Sequence, residues 1–369
     1  MIFMPNKKTG GFMKKIGVLT SGGDCAGLNA AIRGVVLHAS HHYGCTVYGI
    51  RQGTHGLIHR PVLADILDPK DMNDDVLRKG GTFLGTINKG NPFHFPMKDG
   101  TYQDISQTVI DGFHALGLDG LIGIGGDGST AILQKISKAG NIPFVAIPKT
   151  IDDDIGSTDH SIGFLTALDV ATDSLDRLHP TAQSHNRVMI LEVMGRDAGH
   201  IALNCGIAGG ADMILLPEIP YKIDAIAAFL KNKTSAIIVV AEAAERESGE
   251  KSTVKNELGN VTRYAGIGDY LSRELSGKIS AEIRVTVLGH IQRGGSPCAK
   301  DRIFASAFGV HAVDTLLAGR TDRLVVWSGG EVKDISINDG IGIYRSVDIH
   351  GSLVRTARGL GISFGEENV

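Results

Sequence analysis

The sequence contains little cysteine, few aromatic side chains and no long apolar run. Its four cysteines, Cys25, Cys45, Cys205 and Cys298, include no CxxC pair. This spacing argues against a structural zinc site and favours reduced thiols. No stretch approaches the roughly 20 consecutive apolar residues that a membrane-spanning helix requires. We therefore expect a water-soluble, cytoplasmic protein with no membrane partner.

Neither sign of charge dominates the chain. It carries 37 Lys and Arg against 40 Asp and Glu, for a formal net charge of -3. There is thus no overall positive field to attract nucleic acid, and an anion must be bound by a local cluster. Residues 1–12 lack the apolar core and cleavage site of a secretion signal. We expect that they are either a disordered extension or the result of a misassigned start codon, with Met13 as the natural start.

The remaining composition is that of a globular protein long enough for two domains, with 369 residues of which 42% are hydrophobic. Its 49 glycines cluster at the ends of short β-branched runs, which is typical of α/β proteins whose strands deliver loops to a site. Buried strands are predicted at 15–20, 46–50, 120–124, 144–147, 187–193, 213–216, 236–240 and 283–288. Helices are predicted at 27–39, 129–139, 162–178 and 224–231.

This alternation predicts an α/β fold with parallel sheets, helices on both sheet faces and ligands bound beyond the carboxyl ends of the strands. We expect two lobes of this kind. The longest polar stretch, 245–260, is expected to be an exposed loop or the edge of a helix.

Two glycine-rich segments each follow a predicted strand and precede a predicted helix. The first is TSGGD at 20–24, with GLN at 27–29. Its glycines would let the backbone approach a phosphate, and the helix N-terminus would supply free N–H groups. A tight turn without a ligand would explain this segment as well.

The second segment is GIGGDGS at 123–129. It matches GxGxxG, but a dinucleotide site would need an acidic residue about 20 positions later to hold the ribose. The next strand leads instead into PKTIDDD at 148–154. One of its carboxylates could hold Mg²⁺, another could take a proton from a hydroxyl, and the lysine could neutralise phosphate charge, which favours phosphoryl transfer. The absence of GxxxxGK[ST] excludes a P-loop enzyme.

A third group places arginines and a histidine at strand ends. It consists of MGR at 194–196, Glu242, Arg284 and GHIQRGG at 289–295. Such a cluster suggests that a doubly charged phosphate ester is bound. Each arginine alone would fit a surface ion pair equally well.

Together these segments resemble the successive signatures of 6-phosphofructokinases. The matching strings are TSGGDxxGxNAAIRG, GGDGS, PKTIDxD, MGR and GHIQRGGSP, and the resemblance covers residues 14 to about 320. It implies two Rossmann-like lobes, each a mostly parallel sheet flanked by helices. Residues 13–163 with 292–342 would form a larger lobe that binds ATP and Mg²⁺, and 164–291 with 343–369 a smaller lobe that binds fructose 6-phosphate. It also implies a homodimer or homotetramer with active sites shared between subunits.

The resemblance implies roles for individual residues as well. Asp152 would be the base that acts on the 1-hydroxyl, with Thr150, Asp154 and Arg196 assisting, and Asp127 would bind Mg²⁺. Fructose 6-phosphate would be held by Met194, Gly195, Arg196, Glu242, His290 and Arg293, and by Arg187 and Arg284 from a neighbouring subunit. The phosphoryl donor would contact Gly22, Gly23, Asn88, Lys89, Gly126, Asp127, Gly128, Ser129 and Lys149.

The identity of the donor depends on two residues. Gly128 favours ATP, because pyrophosphate-dependent relatives usually carry an aspartate there, which would crowd and repel the α-phosphate of ATP. Lys149 is typical of pyrophosphate enzymes, although a flexible ammonium group does not exclude ATP. Where the ATP enzymes carry a donor-contacting arginine, this chain has Asn88 and Lys89, and the lysine is expected to replace it.

We therefore predict an ATP-dependent 6-phosphofructokinase of glycolysis. The alternatives are a pyrophosphate-dependent enzyme with the same acceptor, an NAD-kinase-like enzyme that shares GGDGS, and a catalytically silent sugar-phosphate sensor. The dinucleotide alternative has no use for PKTIDDD or HIQRGG. A silent sensor would be expected to lack Asp127 or Asp152, and both are present.

Overall fold

The computed structural model describes residues 13–88, 90–255, 261–264 and 266–367. Within these residues the strands are β1 (Lys15–Thr20), β2 (Thr46–Ile50), β3 (Ala64–Ile66), β4 (Phe95–Pro96), β5 (Tyr102–Gln103), β6 (Gly120–Gly125), β7 (Phe144–Thr150), β8 (Ile162–Gly163), β9 (Arg187–Val193), β10 (Met213–Leu215), β11 (Ala236–Ala241), β12 (Thr253–Lys255), β13 (Val261–Tyr264), β14 (Glu282–Val287), β15 (Arg323–Ser328) and β16 (Glu331–Ser336).

Helices connect and cover these strands. The α-helices of the described residues are α1 (Leu28–Tyr43), α2 (His55–Ile58), α3 (Asp74–Arg78), α4 (Ser106–Ala115), α5 (Asp127–Gly140), α6 (Phe164–His185), α7 (His200–Ala208), α8 (Ile223–Leu230), α9 (Ile267–Leu275), α10 (Ala299–Leu317), α11 (Ile337–Gly340) and α12 (Ser352–Gly359). None of them is both long enough and apolar enough to cross a membrane.

The larger sheet has eight strands in the order β16-β15-β7-β6-β1-β2-β3, with β8 beside β7. Its central pairings are parallel, and both edge pairings, β2 with β3 and β15 with β16, are antiparallel. Residues of β6 and β7 are buried throughout, as expected for parallel strands covered on both faces. In the register, Thr20 lies beside Ile124 and Gly125 beside Pro148. The loops after β1, β6 and β7 therefore leave the sheet at one edge.

The smaller sheet has four parallel strands in the order β10-β11-β9-β14. Ala241 pairs with Val193, and Val287 pairs with Glu192. The segments after β9, β11 and β14 consequently emerge side by side. These are the MGR segment, Glu242 and the GHIQRGG segment.

The predicted fold class is confirmed, with two mostly parallel sheets flanked by helices. All eight predicted strands and all four predicted helices are present. Three strands, 15–20, 46–50 and 187–193, have the predicted bounds, and the ends of the other elements are shifted. α6 continues past Pro180 to His185, although an interior proline removes one backbone hydrogen bond; buried Ala182 keeps its last turn packed. The boundaries of the two lobes stay a prediction.

One expectation is wrong in part. Within the polar stretch 245–260, residues Thr253–Lys255 form β12, which pairs antiparallel with β13. The polar composition hid this strand because a two-stranded ribbon does not need a continuous apolar face. Residues 256–260 lie outside the described residues, as does the predicted extension at 1–12.

Candidate active site

A cleft of about 250 Å³ lies where the carboxyl ends of strands from both sheets meet. Its walls come from loops after β1, β6, β7, β9 and β14. The lining residues are Gly22, Gly23, Gly126, Asp127, Gly128, Ser129, Lys149, Thr150, Ile151, Asp152, Asp154, Arg196 and Arg293. The structure thus brings together residues from all three groups of segments found in the sequence.

The glycine loop after β1 forms one wall of the cleft. Gly22 has a φ of +87°, and a Cβ there would lie 3.1 Å from Ser129 Oγ, so that only glycine allows this close approach without strain. The backbone N–H of Gly22 donates to the carbonyl of Ile87 at 3.0 Å, and Thr86 Oγ1 donates to the carbonyl of Gly22 at 2.7 Å. The loop is therefore held in shape by the protein itself.

The N-terminus of α5 faces the same space. Gly126 is its N-cap residue, and Asp127, Gly128 and Ser129 form its first turn. Free N–H groups and the helix dipole at this end favour negative charge, so the position suits a phosphate. A Cβ built on Gly128 would meet no atom within 4 Å among the described residues.

Lys149 is buried at the base of the cleft, with 6% of its surface exposed. Its Nζ donates to the carbonyl oxygen of Gly23 at 2.6 Å. Burial lowers the pKa of the ammonium group, and the nearby positive charge of Arg293 lowers it further, whereas Asp152 opposes the shift. Lys149 thus joins the end of β7 to the glycine loop.

Asp152 comes shortly after β7 and is almost completely buried. Thr150 Oγ1 donates to Asp152 Oδ2 at 3.3 Å, whereas Oδ1 has no hydrogen-bond partner among the described residues. Burial raises the pKa of this carboxyl group, and the negative charge of Asp154 raises it further, while Arg293 and Lys149 oppose the rise. An acceptor oxygen is left unpaired at the wall of a cleft, which is unusual for a buried carboxylate.

Asp127 and Asp154 lie on the same cleft. Asp127 Oδ2 accepts a hydrogen bond from the backbone N–H of Gly342 at 3.1 Å. Burial raises the pKa of Asp127, and the charge of Asp154 raises it further, although the Gly342 N–H acts in the opposite direction. Two carboxylates that repel each other in this way form a place where a cation would be stabilised.

The segment after β9 is shaped by two acceptors from neighbouring strands. Glu242 accepts the backbone N–H groups of Gly195 at 3.3 Å and Arg196 at 3.0 Å, and Gln292 Oε1 accepts that of Met194 at 2.6 Å. Arg196 has a φ of +52°, a left-handed conformation that non-glycine residues adopt only when surrounding contacts hold it. Burial raises the pKa of Glu242 to about 7.

Comparison with known proteins identifies this arrangement. The model of the family described as phosphofructokinase matches residues 15–316. Among curated proteins, the chain is 53% identical to "ATP-dependent 6-phosphofructokinase 1" of Synechocystis sp. over 362 residues, which cover 97% of this chain and 100% of that protein. It is 55% identical to the protein of the same name from Nostoc sp. over 358 residues, 96% of this chain and 99% of that one. The chain belongs to the phosphofructokinase family.

Solved structures agree on the fold of this family. The phosphofructokinase of Pichia pastoris in the T-state superposes with a TM-score of 0.73 at 28% identity, covering 92% of this chain and 36% of that one. The pyrophosphate-dependent phosphofructokinase of Marinobacter aquaeolei superposes with a TM-score of 0.76 at 23% identity, covering 96% of this chain and 93% of that one. At that identity the second likeness shows the fold alone.

Several residues that the family resemblance predicted do not line the cleft. Arg187 and Arg284 both form ion pairs with Glu282 instead. Arg187 is the first residue of β9, at the end opposite to Met194, so that neither arginine of this chain reaches its own cleft. Their contribution to the site of a neighbouring subunit stays a prediction.

Six further predicted residues lie apart from the cleft lining or outside the described residues. Met194, Gly195 and Glu242 are not among the lining residues, although they hold the segment that carries Arg196. His290 is exposed on the 3₁₀ turn Gly289–Arg293, whereas Arg293 of the same turn lines the cleft and donates to the carbonyl of Asp24 at 3.1 Å. Asn88 is exposed and is not part of the cleft wall. Lys89 lies outside the described residues.

Sequence reasoning did not identify the residues that hold the site in shape. Gln292 and Thr86 fix the backbone on two sides of the cleft, and Arg345 contacts the loop after β7. Gln292 stands within a signature string, so its position carried a signal. Arg345 stands in no motif noted in the sequence, and only the fold brings it to the site.

Proposed function

We propose that this chain is an ATP-dependent 6-phosphofructokinase, which transfers the γ-phosphoryl group of ATP to the 1-hydroxyl of D-fructose 6-phosphate and forms fructose 1,6-bisphosphate. The observation that carries this proposal is the cleft itself. A helix N-terminus and two glycine segments, which suit a phosphate, lie there next to a buried aspartate, one oxygen of which has no hydrogen-bond partner among the described residues. The two curated relatives at 53% and 55% identity carry the ATP-dependent name over nearly the full chain.

Asp152 is the base in this reaction. Its Oδ1 can accept the proton of the 1-hydroxyl, while Thr150 holds Oδ2. Because burial and Asp154 raise its pKa, the carboxylate binds a proton more readily than an exposed aspartate does, which favours general base catalysis. Asp154 thereby assists by charge, and Thr150 by orientation.

The sugar phosphate is bound on the opposite wall. Glu242 can accept hydrogen bonds from sugar hydroxyls, and Arg196 and Arg293 supply positive charge near the transferred group. Met194, Gly195 and His290 are not among the lining residues of the cleft in the described chain, and they would contact the sugar phosphate from beyond this wall. Arg187 and Arg284 would bind the 6-phosphate of a neighbouring subunit, which requires a homodimer or homotetramer in which Glu282 releases them.

The residues at the cleft fit a bound Mg²⁺. Asp127 and Asp154 offer carboxylate oxygens of like charge in one place, and Mg²⁺ is usually bound by one or two carboxylates together with phosphate oxygens. No cluster of three His, Cys, Asp or Glu that could hold a metal occurs in the described residues, so Asp127 would hold the ion together with the donor phosphates. When bound, Mg²⁺ neutralises charge that develops on those phosphates.

The phosphates of ATP would lie between the glycine loop and α5, against Gly22, Gly23, Gly126, Gly128, Ser129 and Lys149. The open space at Gly128 allows the α-phosphate to pass. Lys149 is compatible with ATP because its ammonium group is already bound to the carbonyl of Gly23. Asn88 and Lys89 would add contacts to the donor. We further propose that the enzyme works in the cytoplasm.

A coupled assay of fructose 1,6-bisphosphate formation tests this function. Purified chain is given saturating Mg²⁺ and fructose 6-phosphate, with ATP or pyrophosphate as the donor in the same buffer. We expect kcat/KM to be higher with ATP. A higher value with pyrophosphate would overturn the choice of donor, and no product with either donor would overturn the proposed function.

A further inference from the structure

Residues 341–347, here called the C-terminal strap, run beside the loop that contains the proposed base. The backbone N–H of Gly156 donates to the carbonyl of Ile343 at 2.7 Å, and that of Arg345 donates to the carbonyl of Asp154 at 2.8 Å. Ile155 and Tyr344 form an antiparallel bridge. The strap therefore pairs with this loop as an added strand would.

The side chain of Arg345 binds the same loop through three of its nitrogens. Nη2 contacts Asp153 Oδ1 at 2.5 Å, Nε donates to the carbonyl of Asp153 at 3.0 Å, and Nη1 donates to the carbonyl of Thr158 at 3.3 Å. Only the planar fork of a guanidinium group can make such a set of contacts at once. Arg345 thus fixes both the side chain and the backbone of Asp153.

Asp153 needs this support. It has a φ of +56°, a left-handed conformation that persists in a non-glycine residue only when its surroundings enforce it. Its side chain is mostly buried, and burial raises its pKa to about 6, while the charge of Arg345 acts in the opposite direction. Asp153 follows Asp152 directly, so a change in its backbone conformation would move the peptide group that joins the two residues.

The strap is itself fixed to further segments of the chain. His200 Nε2 is hydrogen-bonded to the carbonyl oxygen of Arg345 at 3.0 Å. Glu218 Oε1 accepts the backbone N–H of Val347 at 2.9 Å and that of Gly199 at 3.0 Å. At its other end, the N–H of Gly342 binds Asp127. Arg345 is therefore held between the segments of the smaller sheet and the acidic loop of the larger one.

We propose that Arg345 is a positioning residue of the phosphoryl-transfer reaction: it locks Asp153 in the left-handed conformation that aims the carboxylate of Asp152 into the cleft. Arg345 is absent from the cleft lining of the described chain, so it acts through Asp153 and not on the substrates. This inference rests on the proposed function, because it assigns Arg345 to the base of that reaction.

The test compares Arg345→Gln, Arg345→Lys and Asp153→Asn. For Arg345→Gln we expect kcat to fall about 10- to 100-fold, because a misplaced base loses the productive geometry. KM for fructose 6-phosphate and for ATP should change less than about threefold, since Arg345 does not line the site that binds them. Arg345→Lys keeps the positive charge without the planar guanidinium group, and we expect its kcat to lie between those of Arg345→Gln and wild type.

A double-variant cycle identifies the route of the effect. If Arg345 acts through Asp153, the combination of Arg345→Gln with Asp153→Asn should lose no more than the larger single loss, whereas independent effects would multiply. Arg358→Gln is the matched control, because Arg358 lies on α12, pairs with Glu366 and should leave kcat unchanged when replaced. Rates are referred to folded enzyme, measured by circular dichroism and thermal unfolding.

Retention of at least a third of wild-type kcat by folded Arg345→Gln, or multiplicative losses in the cycle, would overturn the proposal. If Arg345→Gln does not fold, Arg345→Lys and Asp153→Asn decide in its place: both should lose kcat with little change in KM, and full activity of both would overturn it. Wild-type turnover is measured first. If the wild-type enzyme shows no turnover, the proposed function is contradicted. If the wild type is active and the variants keep its kcat, only this inference is contradicted.

Discussion

The ammonium group of Lys149 lies 2.6 Å from the carbonyl oxygen of Gly23. A buried cation at the end of β7 thus holds the glycine loop after β1, across the space proposed for the donor phosphates. Burial lowers the pKa of this lysine, and the negative charges of Asp152 and Asp24 act in the opposite direction.

Replacing Lys149 should weaken the use of ATP without abolishing it. Lys149→Gly and Lys149→Met both remove the charged contact to Gly23, and such contacts contribute about 10- to 100-fold in binding or rate. The methionine variant keeps the apolar stem packed, so it separates the loss of charge from the loss of volume. We expect both variants to lower kcat/KM for ATP by that factor. This role of Lys149 would be contradicted if the methionine variant lost all activity with ATP, or if neither variant changed kcat/KM for ATP.

Gly128→Asp should abolish the use of ATP. A side chain at Gly128 would point into open space in the described chain, so we expect the fold to be kept and the effect to fall on the nucleotide. The aspartate would repel and crowd the α-phosphate. The measurement is kcat/KM with ATP, together with the unfolding temperature.

Two variants at the same position separate charge from size. Gly128→Asn has the shape of the aspartate without its charge, and Gly128→Ala adds only a methyl group. We expect activity with ATP to decrease in the order Ala, Asn, Asp. Equal losses for Asn and Asp would show that crowding alone excludes ATP, and an active Asp variant would remove Gly128 as a determinant of the donor.

Asp152→Asn should lower kcat by roughly 10²- to 10⁴-fold and leave the binding of fructose 6-phosphate nearly intact. Asparagine occupies the same space but cannot accept the proton. Turnover above about a tenth of wild type would exclude Asp152 as the base.

The pH profile gives an independent measure of the same base. The charge of Asp154 raises the pKa of Asp152, so Asp154→Asn should lower that pKa and move the acid limb of the kcat profile to lower pH. An acid limb that moves to higher pH in this variant would contradict the assignment, whatever the size of the rate change.

Glu242→Gln should change stability in a pH-dependent way. The pKa of Glu242 is about 7 in the folded chain, above its ordinary value of 4.5. Between pH 4.5 and pH 7, the folded protein therefore still binds a proton at Glu242 that the unfolded chain has lost. The free energy of unfolding of wild type consequently falls, relative to that of the variant, as pH rises through this range. At pH 8 the resulting difference in the free energy of unfolding between wild type and variant should be at most about 3 kcal/mol.

Urea unfolding at pH 5, 6, 7 and 8, without ligands, measures this difference. Glutamine can still accept the N–H groups of Gly195 and Arg196, so the backbone around it should be kept. Glu245→Gln, at an exposed position of the same segment, is the control and should show no such trend. The prediction would be contradicted if the free energy of unfolding of Glu242→Gln relative to wild type were independent of pH or decreased toward pH 8.

Active sites shared between subunits should be revealed by complementation. Arg284 pairs with Glu282 in the described chain, so its proposed role needs a second subunit. Arg284→Ala and Asp152→Asn subunits should each be inactive, whereas a mixture should regain activity, because some hybrid sites receive both intact residues. Differently tagged subunits show whether exchange occurs. Exchange without recovered activity would exclude the shared site.

The sequence was sufficient to predict the residues at the carboxyl ends of strands in the two sheets. Gly22, Asp127, Lys149 and Asp152 each lie at or just after the end of a β-branched run, and parallel strands bring such positions to one edge. The strap could not be predicted, because several of its bonds use backbone groups such as Gly342 N–H and carry no residue-type signal. The pairing of Arg345 with Asp153 spans 192 positions of sequence, and no local pattern encodes a contact at that separation.

The C-terminal strap also determines when the site is completed as the chain is made. Every strand of the two described sheets, up to Ser336, precedes residue 341. A nascent chain whose synthesis has reached α11 therefore contains all the signature strings but lacks Gly342 at Asp127 and Arg345 at Asp153. Truncated translation products would keep both sheets and carry an unsupported base.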